Sequence, residues 1–516
     1  MAISSIFNDV IGPVMRGPSS SHSAAACRIG LLLRDLMKGD ISRIVIDYDP
    51  NGSLVTTHES QGTDMGLYGG LLGWQADDAR MVDYKKHILE SGIDIKINYI
   101  SYGAKHPNNY RINISNQTIS HTMSAISTGG GMVEIQEIDG SEISINGDYH
   151  ELLIYGNHLE IIQGLMPDIS CDYVFLHSSF IEIKSAAPFE TAVIDSLEAI
   201  PGVTHVCYLQ PVLPVLSRKG LEVPFLFCND MMDYGSSHSM DLWELALKYE
   251  SVRGGVPEEE VFEKMRSIVS IMKGGIAEGL GGTFYLDRIL PVQSLGFQDK
   301  MNENQLLDCG LLNTMVLYTT AMMEVKSSMG VFVAAPTAGS CGTLPGAVLG
   351  AAECMASSED EIIKAMLAAG MMGVFISEHA TFAAEVAGCQ AETGAGGSMA
   401  AAGLVTLMNG TLKQSVGAAS LALQNSLGII CDPIGNRVEA PCLGKNVMAA
   451  SNALCSANMA LANYDHLIPY DEVVQTMNEV GDMMAHELTC TGLGGLAATP
   501  TGRAIEARLK EKAKYC

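Results

Sequence analysis

The stretch LSRKGLEVP, Leu216–Pro224, divides two kinds of sequence. It has two basic residues, a glycine and a proline, and no apolar period, so it reads as a linker. Before it, strand-like segments alternate with helix-like ones. RIVIDYDP (43–50) has the branched, apolar content of a strand. DDARMVDYKKHILESG (77–92) reads as an amphipathic helix closed by Gly92. IDIKINYIS (93–101), YRINISN (110–116) and MVEIQEID (132–139) alternate apolar and polar residues at period two. Residues 1–148 therefore read as an α/β or α+β domain. Residues 151–216 follow the order β-α-β-β-α-β, the ferredoxin-like order, which serves amino-acid sensing among many unrelated functions. From 230 to 516 the chain reads as helical, rich in Ala, Gly, Met and Leu, with small residues that let helices approach closely. Glycine-rich breaks interrupt it at AAPTAGSCGTLPG (334–346), ETGAGGS (392–398) and TGLGGLAATPTG (491–502). The expected fold class is multidomain α+β: an N-terminal α/β domain, a ferredoxin-like βαββαβ segment and a C-terminal mostly α-helical domain.

Composition narrows the function. Of 516 residues, 47% are hydrophobic and 17% charged, enough apolar content for a large core. A net charge of −27 opposes non-specific binding to nucleic acid or an anionic membrane. The start, MAISSIFNDVIGPVMRGPSSSH, has no basic segment leading into an apolar one and does not read as a secretory signal. AMLAAGMMGVFISEHATFAAEVAG (365–388) carries Glu378, His379 and Glu385 and reads as a buried helix rather than a membrane span. Thirteen cysteines, an odd number, argue against a disulfide framework and for a cytoplasmic protein with reduced thiols.

Three constellations carry candidate chemistry. GPSSSHSAAACRIG (17–30) places Ser19, Ser20, Ser21 and His22 before a helix starting near Ser23. Free N–H groups at a helix start, with serine hydroxyls, suit a carboxylate or phosphate; a serine N-cap on a surface loop is the plainer alternative. The second set is Cys341, Cys389, Cys431 and Cys442, with Cys516 at the last position. Gaps of 42 and 11 residues between Cys389, Cys431 and Cys442 are not those of a zinc ribbon or bacterial ferredoxin. Each of the three lies by a helix breaker, where loops can bring soft ligands together around an iron–sulfur cluster. Zinc on three thiolates with one open position is the chemical rival. Cys354, Cys455 and Cys490 are assigned to packing. The third set is NGSLVTTHESQGTD (51–64), in which His58, Glu59 and Asp64 are candidate bases. It lacks the second histidine of a zinc protease helix. No dinucleotide fingerprint, P-loop or nucleophile elbow occurs, and Lys326 and Lys445 have no persuasive pyridoxal-lysine context.

Together these segments resemble the iron–sulfur-dependent L-serine dehydratases over nearly the whole chain. IGPVMRGPSSSH, GTDMGLYGGLLG and ISTGGGMVEI resemble the family's β-type domain. Residues 151–216 resemble the ACT-type segment of some members. AAPTAGSCGTLPGAVLGAA, AEVAGCQAETGAGGSMAAAG, CDPIGNRVEAPCLGKN and GLGGLAATPTG resemble the α-type domain, in order. The resemblance implies that Cys389, Cys431 and Cys442 bind a 4Fe–4S cluster, and that one iron acts as Lewis acid on the serine hydroxyl. It implies that Ser19, Ser20, Ser21 and His22 bind the substrate, and that Cys516 takes the place of substrate on the cluster. It also implies a homodimer and a small amino-acid substrate, with no nucleic acid or membrane partner.

One departure stands out. The family usually has histidine just before TD, in a G-H-x-T-D pattern, as a candidate base; here Gln61 occupies that position, within HESQGTD. Glutamine is no general base near neutral pH. His22 and His58 are then the candidate catalytic groups. SHS after Ser20, where the family commonly has SHT, is a milder change. The alternatives left open are the same lyase chemistry on another small β-hydroxy or β-thio acid, and a non-catalytic amino-acid-binding protein.

Overall fold

The computed structural model describes residues 3–513. It divides into two compact units: residues 21–222, and residues 3–20 together with 223 onward. The first is rich in sheet and the second helical, and the chain re-enters the helical unit within the linker stretch.

The sheet unit holds a six-stranded sheet, in the order Asp94–Tyr99, Arg43–Tyr48, Asn109–Ser115, Ser120–Gly129, Met132–Ile138, Ser141–Ile145. Only Arg43–Tyr48 and Asp94–Tyr99 run parallel; the other neighbours are antiparallel. Helices Ala25–Leu36 and Thr63–Leu71 cross closely because glycines face each other. A Cβ on Gly30 would lie 2.9 Å from the Gly70 Cα. The expected helix ahead of Gly92 is Tyr84–Ser91, and Gly92 closes it with φ 77°, a conformation that suits glycine.

Residues 150–209 run strand, helix, strand, strand, helix, strand. Their sheet is antiparallel, in the order Val203–Leu209, His150–Gly156, Ile181–Ser185, Tyr173–Leu176. Alternation sorts its two faces. Leu152, Ile154, Ile183 and Val206 pack under the segment's own helices, with Ile162 and Leu197. Leu153, Tyr155, Cys207 and Leu209 join the core that contains Ile44, Ile46 and Ile112 of the larger sheet.

Residues 3–20 were expected to open the N-terminal domain, yet they belong to the helical unit. Val14–Met15 pairs antiparallel with Phe332–Val333. The Ile6 N–H donates to Glu250 at 2.8 Å, and the Tyr249 hydroxyl to the Ser4 carbonyl at 2.9 Å. Small residues let the helices of this unit touch. A Cβ on Gly350, in Thr343–Met355, would meet the Met315 Cα at 2.8 Å, and one on Gly403 would meet the Ala365 carbonyl at 3.0 Å. Among the described residues one helix, Glu359–His379, is long and apolar enough to cross a membrane, and 78% of that window is buried inside the protein.

Candidate functional site

Three breaks in the helical unit come together. Cys389 precedes a short turn, Gln390–Gly394, that leads into helix Ala395–Leu407. Cys431 makes a parallel bridge to Thr489: its N–H donates to the Leu488 carbonyl at 2.8 Å, and the Cys490 N–H donates to the Cys431 carbonyl at 3.0 Å. Cys442 opens helix Cys442–Leu461, and its carbonyl accepts from Asn446 at 2.9 Å. Asn446 also donates to the Gly339 carbonyl at 2.7 Å, which ties the Thr337–Ser340 turn to the same place.

Cys389, Cys431 and Cys490 pack as one buried cluster with Ala384. The sulfurs of Cys389 and Cys431 and a Glu392 carboxylate oxygen lie within 4.8 Å of one another. Hydrogen bonding with Cys389 and Cys490, then burial, push the Cys431 thiol well up. Burial also raises the Cys442 thiol, with Cys389 adding to the rise. Lys445 donates to Asp432 and to the Ile430 carbonyl, both at 2.6 Å, and stands 3.9 Å from the Cys389 sulfur. Lys326 is buried and donates to the Val438 carbonyl.

Glu392 accepts from the Thr337 hydroxyl at 2.6 Å, and its other oxygen is 3.9 Å from the Cys389 sulfur. Burial pushes its carboxyl up to about 7, against the Thr337 hydrogen bond and the two lysines. It therefore exchanges a proton near neutrality. The donor set fits a soft metal or metal–sulfur cluster. The Cys389 and Cys431 sulfurs and Glu392 are close enough to share a metal, and two lysines balance the thiolate charge that binding creates.

The serine loop is buried rather than on the surface: Ser19, Ser20, Ser21, His22 and Ser23 are all under 9% exposed. Helix Ala25–Leu36 has no side-chain cap from it. Ser20 belongs to the helical unit and accepts from the Ala338 N–H at 3.2 Å, one residue from Thr337. Ser21 and His22 belong to the sheet unit. The Thr57 hydroxyl donates to the Ser53 carbonyl at 2.6 Å, so toward His22 Nε2, 3.0 Å away, it must accept. That fixes the proton on Nε2 of a neutral His22 and leaves Nδ1 to accept from Ser21 at 3.2 Å.

His58 has partners on both nitrogens, Asp64 at 2.9 Å on Nδ1 and Tyr99 at 2.8 Å on Nε2. Burial opposes its charge, but the Asp64 hydrogen bond and charge outweigh it and raise the pKa. Gln61 is buried, and its carbonyl accepts from Ser23 at 3.1 Å. Cys341 is buried, with its thiol 3.8 Å from the Met323 sulfur. Cys354 and Cys455 are exposed on helices, not packed. Cys516 lies outside the described residues.

Cys490 and Glu392 stand with the thiols, a placement that the sequence reading does not give. Cys490 was assigned to packing in a helical context; it sits instead in an irregular segment just before Gly492. The criterion that picked the other three thiols, a cysteine beside a helix breaker, applies to it equally. Glu392 stands three residues after Cys389, so one turn brings its carboxylate back over the sulfur.

Buried thiols, a carboxylate and two lysines stand together at the junction of glycine-rich turns, and Cys389, Glu392 and Cys431 among them could hold a metal ion. The serine dehydratase alpha chain family model matches residues 237–497, which carry this centre. The probable L-serine dehydratase alpha chain of Bacillus subtilis is 36% identical over 49% of this chain and 84% of its own length. The L-serine dehydratase alpha chain of Peptoniphilus asaccharolyticus is 34% identical over 54% of this chain and 95% of its own length. L-serine dehydratase 2 of Escherichia coli is 25% identical over 93% of this chain and 96% of its own. The chain belongs to the serine dehydratase family.

Proposed function

We propose that the chain is a lyase that converts L-serine to pyruvate and ammonia, with a 4Fe–4S cluster held by Cys389, Cys431 and Cys442. The carrying observation is the convergence of thiols from separate breaks beside Glu392. Cys490 is a further thiol packed against Cys389 and Cys431. When bound, the cluster supplies a Lewis acid for the departing hydroxyl.

The chain's own residues do the rest. Ser19 and Ser20 provide donors for the substrate carboxylate, with the Thr337–Ser340 turn behind Ser20. Glu392, poised near neutrality, takes or gives a proton beside the thiols. Ser21 and His22 form a second donor–acceptor pair, and His58 is a further candidate base, oriented by Asp64. The protein acts in the cytoplasm as a homodimer, with its thiols reduced. Residues 151–216 serve as an ACT-like amino-acid-sensing segment.

A second reading keeps the chemistry and changes the substrate to another small β-hydroxy or β-thio acid. Its support is Gln61, buried at the position where the family usually has histidine. Anaerobic purification followed by iron and sulfide analysis and a pyruvate assay tests both readings. Brown protein that releases pyruvate from serine is expected, with colour and turnover lost in Cys389→Ser, Cys431→Ser and Cys442→Ser and kept in Cys354→Ser. Colour retained in the three variants would refute the ligand assignment. Brown protein that turns over only another acid in a substrate panel favours the second reading. Zinc in place of iron would reassign the centre.

A further inference from the structure

A second group of metal-type ligands lies wholly in the sheet unit, far in sequence from the thiols described above. His121 starts strand Ser120–Gly129 of the six-stranded sheet. His205 and Cys207 are two apart on strand Val203–Leu209 of the four-stranded sheet, so they share a face. One ligand atom from each lies within 4.8 Å of the other two.

The nitrogens carry the argument. His121 is 2% exposed, and its Nδ1 lies 2.7 Å from Asp139. Asp139 also accepts from the Tyr155 hydroxyl and from the Thr122 N–H, both at 2.8 Å. A carboxylate on Nδ1 takes that N–H and leaves the lone pair on Nε2. Yet Nε2 of His121 is buried with no hydrogen-bond partner, and so is Nε2 of His205. A buried polar atom without a partner opposes folding. Two facing imidazoles that both bear this cost need an explanation.

Aromatic packing is the plainer account. His205 stacks on Tyr155 at 4.4 Å, and His121 lies 5.1 Å from Tyr155. Packing explains the rings but not the two unpartnered nitrogens or the thiol beside them. A carboxylate that orients the far nitrogen of a histidine is the usual support of a metal-binding imidazole.

We propose that His121 Nε2, His205 Nε2 and the Cys207 sulfur form a site for one zinc-type divalent cation, with a fourth position open to water. The donor set, two imidazoles and one thiolate, suits a borderline-soft ion in tetrahedral geometry. Binding replaces the sulfur–hydrogen bond of Cys207 with a sulfur–metal bond and releases one proton to solvent. That thiol now donates to the Leu36 carbonyl at 3.2 Å. Two charged neighbours matter: Lys38, paired to Glu198 at 2.8 Å, and Asp139, whose carboxylate offsets part of the cation's charge. The bound ion staples the two sheets of the unit where strand Val203–Leu209 faces the larger core.

The test uses the full-length chain bearing Cys389→Ser, Cys431→Ser and Cys442→Ser, which removes the other soft-metal centre. Protein is equilibrated with Zn²⁺, desalted and analysed for metal; Co²⁺ is used in parallel for its thiolate charge-transfer band. One equivalent of zinc is expected, lost when His205→Ala or Cys207→Ser is added. Asp139→Asn should weaken binding about 10–100-fold, as for a support residue. Zinc should raise the melting temperature of the parent and not of the His205→Ala variant. If the triple variant does not fold, the comparison is made in the wild-type chain, where His205→Ala should hold one equivalent less. No zinc in the parent, or equal zinc with and without His205, overturns the proposal.

Discussion

His58 is a residue whose charge belongs to its surroundings. Asp64 on one nitrogen raises its pKa although burial pulls the other way. A histidine with a folded pKa above its unfolded value stabilises the fold fully at low pH, and the benefit fades as pH rises through the folded pKa. His58→Gln is therefore expected to lower the urea midpoint more at pH 5.5 than at pH 9. An equal loss at both values would mean that the Asp64 pair carries no net charge interaction. Single residues were unevenly legible in the sequence. Cys389, Cys431 and Cys442 stand out as candidates because each lies beside a helix breaker, a local property. The partners of His22 and His58 were not, because Thr57 and Tyr99 are chosen by the packing of the sheet unit. Nor was the environment of Glu392, because a raised carboxyl pKa depends on what is buried around it rather than on its neighbours in sequence.

At the scale of elements, helix Ala25–Leu36 carries an acid where a cation would suit its last turn. Asp35 accepts from the Gln210 N–H at 2.8 Å, just past strand Val203–Leu209, and burial pushes its carboxyl up to about 6. A carboxyl with a raised pKa favours the fold while protonated, so stability falls as pH rises from about 4 through 6. Asp35→Asn keeps an oxygen for Gln210 and removes the charge. It is expected to stabilise the protein at pH 7.5 by roughly 1–2 kcal/mol, below the ~3 kcal/mol that two pKa units would give. The gain should vanish near pH 4. Denaturant titrations of both proteins at the two pH values check this, and a destabilised variant at pH 7.5 would refute it. Strands Asp94–Tyr99, Asn109–Ser115 and Met132–Ile138 were legible because alternation at period two is a local pattern. The turn Ser20–Ala24 was not: a serine-rich run reads equally as cap or loop, and only its burial separates the two.

For the whole molecule, the decisive fact is that the sheet unit interrupts the helical one. The chain leaves the helical unit after Ser20 and returns after Glu222. The linker gave the second crossing in the sequence. The first was hidden, because residues 3–20 are tied to partners more than two hundred residues away. Glu250 accepts from Ile6, Tyr249 donates to Ser4, and Val14–Met15 pairs with Phe332–Val333. A cut in the linker therefore should not free the helical unit. Lys219 and Gly220 are exposed and lie outside any helix or strand, so a specific protease site inserted after Gly220 can be cleaved in the folded protein. The two fragments should co-elute in native buffer, because the N-terminal fragment still carries residues 3–20. Glu250→Ala strips the acceptor from the buried Ile6 N–H, a loss of about 1–3 kcal/mol, and should make the cleaved fragments part at lower urea. Fragments that separate without denaturant would show that residues 3–20 do not hold the helical unit together.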